Sequence, residues 1–267
     1  MPRRSPLPVV LVLVLAGGIG DIGMGATVAT AALAGTSPPA TADSFITVKT
    51  HTDAFEMMGQ KEAAKDTETR IWLAADRARR DEGDASQVVR FDRNKLYLLH
   101  HKDKTYNELD LPIDWRKLTP KGSEAAVEQM TKAMTVSARM TPTAEVRKIA
   151  GWNTMKIQIE ITNTMGMKVD NAMWVSKEIP IYPVYNKLTA CLAALQPGAG
   201  DWERKLGAIE GFPVLQETTV SAIGAHFKSR EELIAVEARQ APAGTYEIPA
   251  GYTVVAWDPM STLSGLQ

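Results

Sequence analysis

Only one cysteine, Cys191, occurs in the 267 residues, so no internal disulfide can staple the fold and it must rest on a hydrophobic core. Cys191 lies in an Ala- and Leu-rich stretch of helical character and reads as a buried small hydrophobe. An excess of charge is missing too: 30 Lys and Arg stand against 31 Asp and Glu. That balance gives no reason to expect nucleic acid or an anionic membrane surface as a partner. Long apolar runs are also missing. The unbroken run Val9–Ala16 belongs to a stretch closed by Asp21, too short to span a bilayer.

Marks of catalysis and metal binding are absent as well. There is no Gly-x-Ser-x-Gly nucleophile elbow, no P-loop and no EF-hand spacing of oxygens. Of the four histidines, His51 and His226 are isolated. His100 and His101 are neighbours on one strand, so their side chains point to opposite faces and cannot chelate together. A zinc site needs three or four convergent ligands. Two close methionine pairs, Met57-Met58 and Met165-Gly-Met167, have no His or Cys beside them to make a copper site. No catalytic residue, metal site or cofactor follows, and the expectation is a protein that is not an enzyme.

What is present begins with an export pattern. Arg3 and Arg4 precede the apolar run, and two small-residue cleavage sites follow, Ala32-Leu-Ala34 and Ala40-Thr-Ala42. The second is preferred, because the Gly/Ala/Ser/Pro-rich stretch between them has no core to join. No cysteine near the run offers a lipid attachment point. Residues 1–42 therefore read as a signal peptide and disordered leader, and 43–267 as a single domain, periplasmic or secreted. Without Arg3, Arg4 and Asp21 the formal charge is −2.

From Asp43 the chain reads as short strands. Ser44–Thr52 and Asp66–Ala75 come first, Arg77–Arg80 reads as an exposed edge, and Ser86–Phe91, Lys95–His100 and Thr105–Leu109 follow. Strands every eight to twelve residues with polar turns argue for an antiparallel meander. Ser123–Ser137 then has Ala126, Met130, Ala133, Met134 and Ser137 at helical spacing. Ala144–Ile149 reads as a strand, and Asn153–Ile161 alternates strictly, with Met155, Ile157, Ile159 and Ile161 on one face. Asn163-Thr-Met-Gly166 turns it into a second run, where Met167, Val169, Asn171, Met173 and Val175 share a face. These two runs make an antiparallel hairpin, the expected middle of the sheet. Tyr182–Leu195 reads as helix, Asp201–Leu206 as a further turn or two, and Phe212–Val220 and Phe227–Arg239 as strands.

This order carries a resemblance. The motifs are "IAGW" at Ile149–Trp152, "MWVS" at Met173–Ser176, "GFPVLQE" at Gly211–Glu217 and "PAGTYEIPAGY" at Pro242–Tyr252. The chain resembles an uncharacterised bacterial exported family related to LolA/LolB-type outer-membrane lipoprotein carriers. The resemblance implies an α+β fold: a strongly curved antiparallel half-barrel wrapped around a few helices, with an apolar cavity between. It also implies a carrier of acyl chains or an envelope sensor, whose partner is a lipid, a lipidated protein or an envelope protein. It transfers a fold better than an activity.

Seven of the twelve methionines fall between Met130 and Met173, where flexible thioethers suit a surface that repacks around apolar ligands. The expected ligand-binding residues are Met130 and Met134 on a lid helix, with Met155, Ile157, Ile159, Met167, Val169 and Met173 on the hairpin below. Ordinary core packing of a helix on a sheet explains the same pattern. The alternative function is then a structural or protein-interaction module of the envelope with a self-filled core; under either reading the expectation is a monomer.

Overall fold

The computed structural model describes residues 43–57, 60–119, 121–222 and 225–257. The leader expected at 1–42 and Met58 lie outside the described residues. Strand β1 (Ser44–Thr52) is followed by a separate small hairpin, β2 (Phe55–Met57) and β3 (Gln60–Glu62). An up-and-down run comes next: β4 (Lys65–Leu73), β5 (Arg77–Glu82), β6 (Ala85–Arg90), β7 (Lys95–His100) and β8 (Thr105–Asp110). One turn of helix, α1 (Trp115–Leu118), and α2 (Glu124–Met134) lead to β9 (Val136–Ile149), β10 (Trp152–Asn163) and β11 (Lys168–Ser176). Helices α3 (Tyr182–Ala193) and α4 (Gly200–Gly207) precede β12 (Phe212–Ala222) and β13 (Ala225–Ala238), and β14 (Thr253–Val254) comes last.

Twelve strands form one sheet in the order β14-β8-β7-β6-β5-β4-β1-β13-β12-β11-β10-β9. It is mostly antiparallel and open, with β14 and β9 as its edges; only β14 on β8 is parallel among the described pairs. β1 joins the two runs, since Ile46 lies opposite Ile71 of β4 on one side and Val236 of β13 on the other. The fold is thus a large open antiparallel sheet, predominantly β, with helices packed on one face.

Two expectations are corrected here. Arg77–Arg80 is not an edge but part of the inner strand β5, between β4 and β6. Its inward positions are Ala78, fully buried, and Arg80 and Glu82, which neutralise each other. A charged sequence therefore sits inside a sheet without stranding a charge. The strand expected at Ala144–Ile149 begins earlier, at Val136, directly after α2 ends at Met134. Pro142 within it is tolerated because β9 is an edge, where the missing N–H disrupts no ladder on the outer side. Part of that edge is capped: Ala138 N–H donates to Asp201 Oδ2 at 3.2 Å, and Lys205 Nζ donates to the Ala138 carbonyl. An edge strand capped this way is a poor template for further pairing.

Two apolar clusters lie on the helix-covered face. One joins β9, β10 and β11 to α3 and α4; the other joins β1 and β4–β8 to Tyr185, Leu188 and Leu192 of α3. The opposite face of the β4–β8 half is covered by the C-terminal segment after β13. There Tyr246 packs with Trp72, Val88 and Leu99, and Glu247 bridges to Arg90 and Arg93.

Candidate functional site: the cleft beside the third helix

The hairpin register brings most of the expected ligand-binding residues together. Ile157 lies opposite Met173, Ile159 opposite Asn171, and Ile161 opposite Val169. Ile157, Ile159, Met167, Val169 and Met173 join one cluster and are 0–6% exposed. Asn163 sets the turn between the strands: its Oδ1 accepts from the backbone N–H groups of Met165 and Met167, and Gly166 takes φ +84°.

The cover over this hairpin is not the expected one. Ala193 of α3, Trp202 and Leu206 of α4, and Ile209 fill the space above it. Trp202 and Leu206 are four apart and so face the same way from α4. Helix α2 is tied by its C-terminal end to the hairpin turn and to the turn between α3 and α4. Thr164 Oγ1 in the hairpin turn donates to the Ala133 carbonyl at 2.7 Å, and Val136 N–H donates to the Gly198 carbonyl at 3.2 Å. Met134 is buried but outside the hairpin cluster. Met155 lies beyond the β-bulge between Met155 and Ile157, opposite the exposed Val146, and is half-buried. The side chain of Met130 lies outside the described part of the structure.

A cleft opens instead on the other side of α3. It encloses about 260 Å³ and is lined by Phe91, Asn94, Leu111, Pro112, Ile113, Lys187, Ala190, Cys191, Ala194 and Glu203. The helical period puts Lys187, Ala190, Cys191 and Ala194 on one face of α3, turned away from Leu188 and Leu192 in the core. Pro112 follows Leu111 at the end of β8, so the chain leaves the sheet and can cross the mouth of the cleft. Trp115 ties this loop down, donating from Nε1 to the Ala194 carbonyl at 3.0 Å, and packs edge-on against Trp257.

The lining is apolar with a charged lip. Lys187 Nζ lies 4.1 Å over the Phe91 ring. Burial pushes the Glu203 carboxyl upward. It also pushes the Cys191 thiol up to about 11, so Cys191 is a protonated wall at neutral pH rather than a nucleophile. The arrangement can seat an apolar group and exclude water from it. Sequence reading misses this cleft because its four segments lie apart in the chain. The small residues Ala190, Cys191 and Ala194 on one helical face are the signal that could have marked it.

A serine–histidine pair also emerges. Ser86 Oγ lies 2.5 Å from His101 Nε2, and His101 Nδ1 lies 2.6 Å from the Tyr252 hydroxyl. Such a pair suits nucleophilic catalysis only where the hydroxyl can reach a substrate. Ser86 is 1% exposed, and Asp81 and Arg79 already hold its hydroxyl. Its role here is to fasten the C-terminal segment to the sheet. Burial, its largest influence, lowers the His101 pKa and keeps the ring neutral. Among the described residues no group of three His, Cys, Asp or Glu could hold a metal ion, and no helix is long and apolar enough to cross a membrane.

Several solved structures are distantly similar. PNGF-II aligns with a TM-score of 0.38 and 10% identity over 83% of this chain and 32% of its own. MucB aligns with a TM-score of 0.30 and 11% identity over 79% of this chain and 58% of its own. A domain of an outer membrane lipoprotein-sorting protein from Vibrio parahaemolyticus aligns with a TM-score of 0.28 and 8% identity, over 77% and 89%. The chain thus spans less than two thirds of the length of the first two. No curated protein matches it. The model of one family, however, matches residues 36–252, most of the sequence, and the chain belongs to that family, the domain of unknown function DUF4412.

Proposed function

We propose that this is an exported, non-catalytic binding protein of the cell envelope, a carrier or sensor. It seats one end of an acyl chain or a similar elongated apolar ligand in the cleft beside α3, with the sheet as an open half-barrel behind it. The cleft carries the reading: about 260 Å³ walled by Phe91, Leu111, Pro112, Ile113, Ala190, Cys191 and Ala194. Sites for drug-sized ligands run from about 300 to 1,000 Å³, so this one takes the end of a chain and not the whole of it. Each methylene buried contributes about 0.8 kcal/mol, against an association cost of at least about 4 kcal/mol. Short chains then fail to bind and longer ones succeed until the cleft is full.

Calorimetric titration with fatty acids of increasing length tests this. Affinity should rise with each added methylene and then level off. Cys191→Phe should weaken binding while the melting temperature is kept. If fatty acids of every length fail to bind, the reading is wrong.

The second reading, a structural or protein-interaction module, is favoured by one observation. The hairpin cluster is filled by the protein's own Trp202, Leu206 and Ile209. A core closed in this way needs no ligand, and function would then lie on the outer surface.

A further inference from the structure

The sheet carries a second feature, separate from the cleft. Between the two apolar clusters, on the same face, runs a seam of buried polar side chains. Asn171 of β11 lies opposite Thr218 of β12, Gln216 of β12 opposite Glu231 of β13, and Glu231 opposite Thr50 of β1. Thr69 of β4 lies opposite Glu82 of β5, whose neighbour on that face is Arg80.

We propose that this seam, centred on Glu82, Gln216 and Glu231, binds an organic cation carrying N–H donors, a primary ammonium or a guanidinium group. Hydrogen-bond accounting carries the inference. Asn171 Nδ2 donates to Thr218 Oγ1 at 2.6 Å, and Gln216 Nε2 donates to Glu231 Oε1 at 2.6 Å. Glu82 Oε2 accepts from Thr69 Oγ1 at 3.1 Å and from Arg80 Nη2 at 2.5 Å. The amide oxygens Asn171 Oδ1 and Gln216 Oε1 and the second carboxyl oxygen, Glu82 Oε1, have no partner. All three residues are at least nine-tenths buried, at 0%, 5% and 5% exposure. Buried polar atoms are seldom left bare, because each forfeits its hydrogen bonds to water. What remains open at these three residues is acceptor oxygen, and the Thr50 hydroxyl in the same seam, also without a partner, can accept as well as donate, so the complement is a donor.

Charge points the same way. Glu82 and Glu231 face one guanidinium, Arg80, with the Tyr185 phenol of α3 beside them, and once Glu231 ionises, above about 7, the seam carries one surplus negative charge. An added cation balances the seam, whereas an anion would add to the surplus. A bare metal ion is disfavoured, since no three ligating side chains gather among the described residues. Glu231 is part-exposed as a residue while its carboxyl is buried, so the seam comes close to the surface there.

The test is calorimetric titration of the whole protein with n-hexylammonium, hexyltrimethylammonium and n-hexanol. The first has charge and donors, the second charge alone, the third no charge. Hexylammonium should bind at least about tenfold more tightly than either of the others, the margin of charge-assisted hydrogen bonds. Glu82→Gln should remove most of that margin. Gln216→Met, which deletes one open oxygen together with the amide donor to Glu231 and leaves every charged residue in place, should lower hexylammonium affinity while cooperative melting is retained, and it carries the test if Glu82→Gln fails to fold. Equal binding of the three probes, no binding of hexylammonium, or an unchanged preference in Gln216→Met would each overturn the proposal.

Discussion

Gly198 faces the backbone of Thr135 so closely that a Cβ on Gly198 would sit 2.7 Å from both the Cα and the nitrogen of Thr135. The contact joins the turn between α3 and α4 to the junction of α2 and β9, and Gly198 also holds φ +81°. Gly198→Ala should cost about 2–4 kcal/mol, from left-handed strain and a clash with backbone that cannot move aside. Chemical denaturation reads this as a lower midpoint. An unchanged midpoint would mean that the two junctions do not meet.

The hairpin register makes a paired prediction. Ile159 is fully buried and Glu160, its neighbour, is exposed. Ile159→Asp places a carboxylate in an apolar cluster and should cost several kcal/mol or unfold the protein. Glu160→Ala should stay within about ±0.5 kcal/mol. Similar melting temperatures for the two variants would reverse the facing of β10.

Glu231 links stability to pH. Burial is the main cause that pushes its carboxyl from 4.5 up to about 7; Arg80 opposes the shift and Glu82 adds to it. Between those two values the folded protein holds a proton that the unfolded chain has released. Stability from this group therefore falls as pH rises through the window, and the loss is complete above it. Comparing wild type with Glu231→Gln between about pH 5 and about pH 8, the wild type should lose about 2 kcal/mol more. Parallel curves would show a solvated carboxylate.

Period-two patterns were legible wherever a strand is half-buried by its own residues. Lys95–His100 is β7 to the residue, and Ile157, Ile159 and Ile161 face the core as their alternation requires. The start of β9 was not legible, because Met130, Met134 and Ser137 continue a helical spacing across the boundary at Thr135. The identity of the lid was not legible either. Which helix covers a strand depends on the connections, and Trp202 and Leu206 reach the hairpin from α4 across a long stretch of chain. The cleft is assembled from four separate segments, so alternation within any one of them says nothing about it.

Cys191 reports on the cleft directly, because it is the only thiol and stands in the wall. Its alkylation by iodoacetamide should be slow at about pH 8, since burial keeps the thiol protonated. Saturating dodecanoate should slow it further, with protection rising over the same concentrations that give heat in the calorimeter. If dodecanoate binds and Cys191 reacts at an unchanged rate, the ligand sits elsewhere and the assignment of the cleft is wrong.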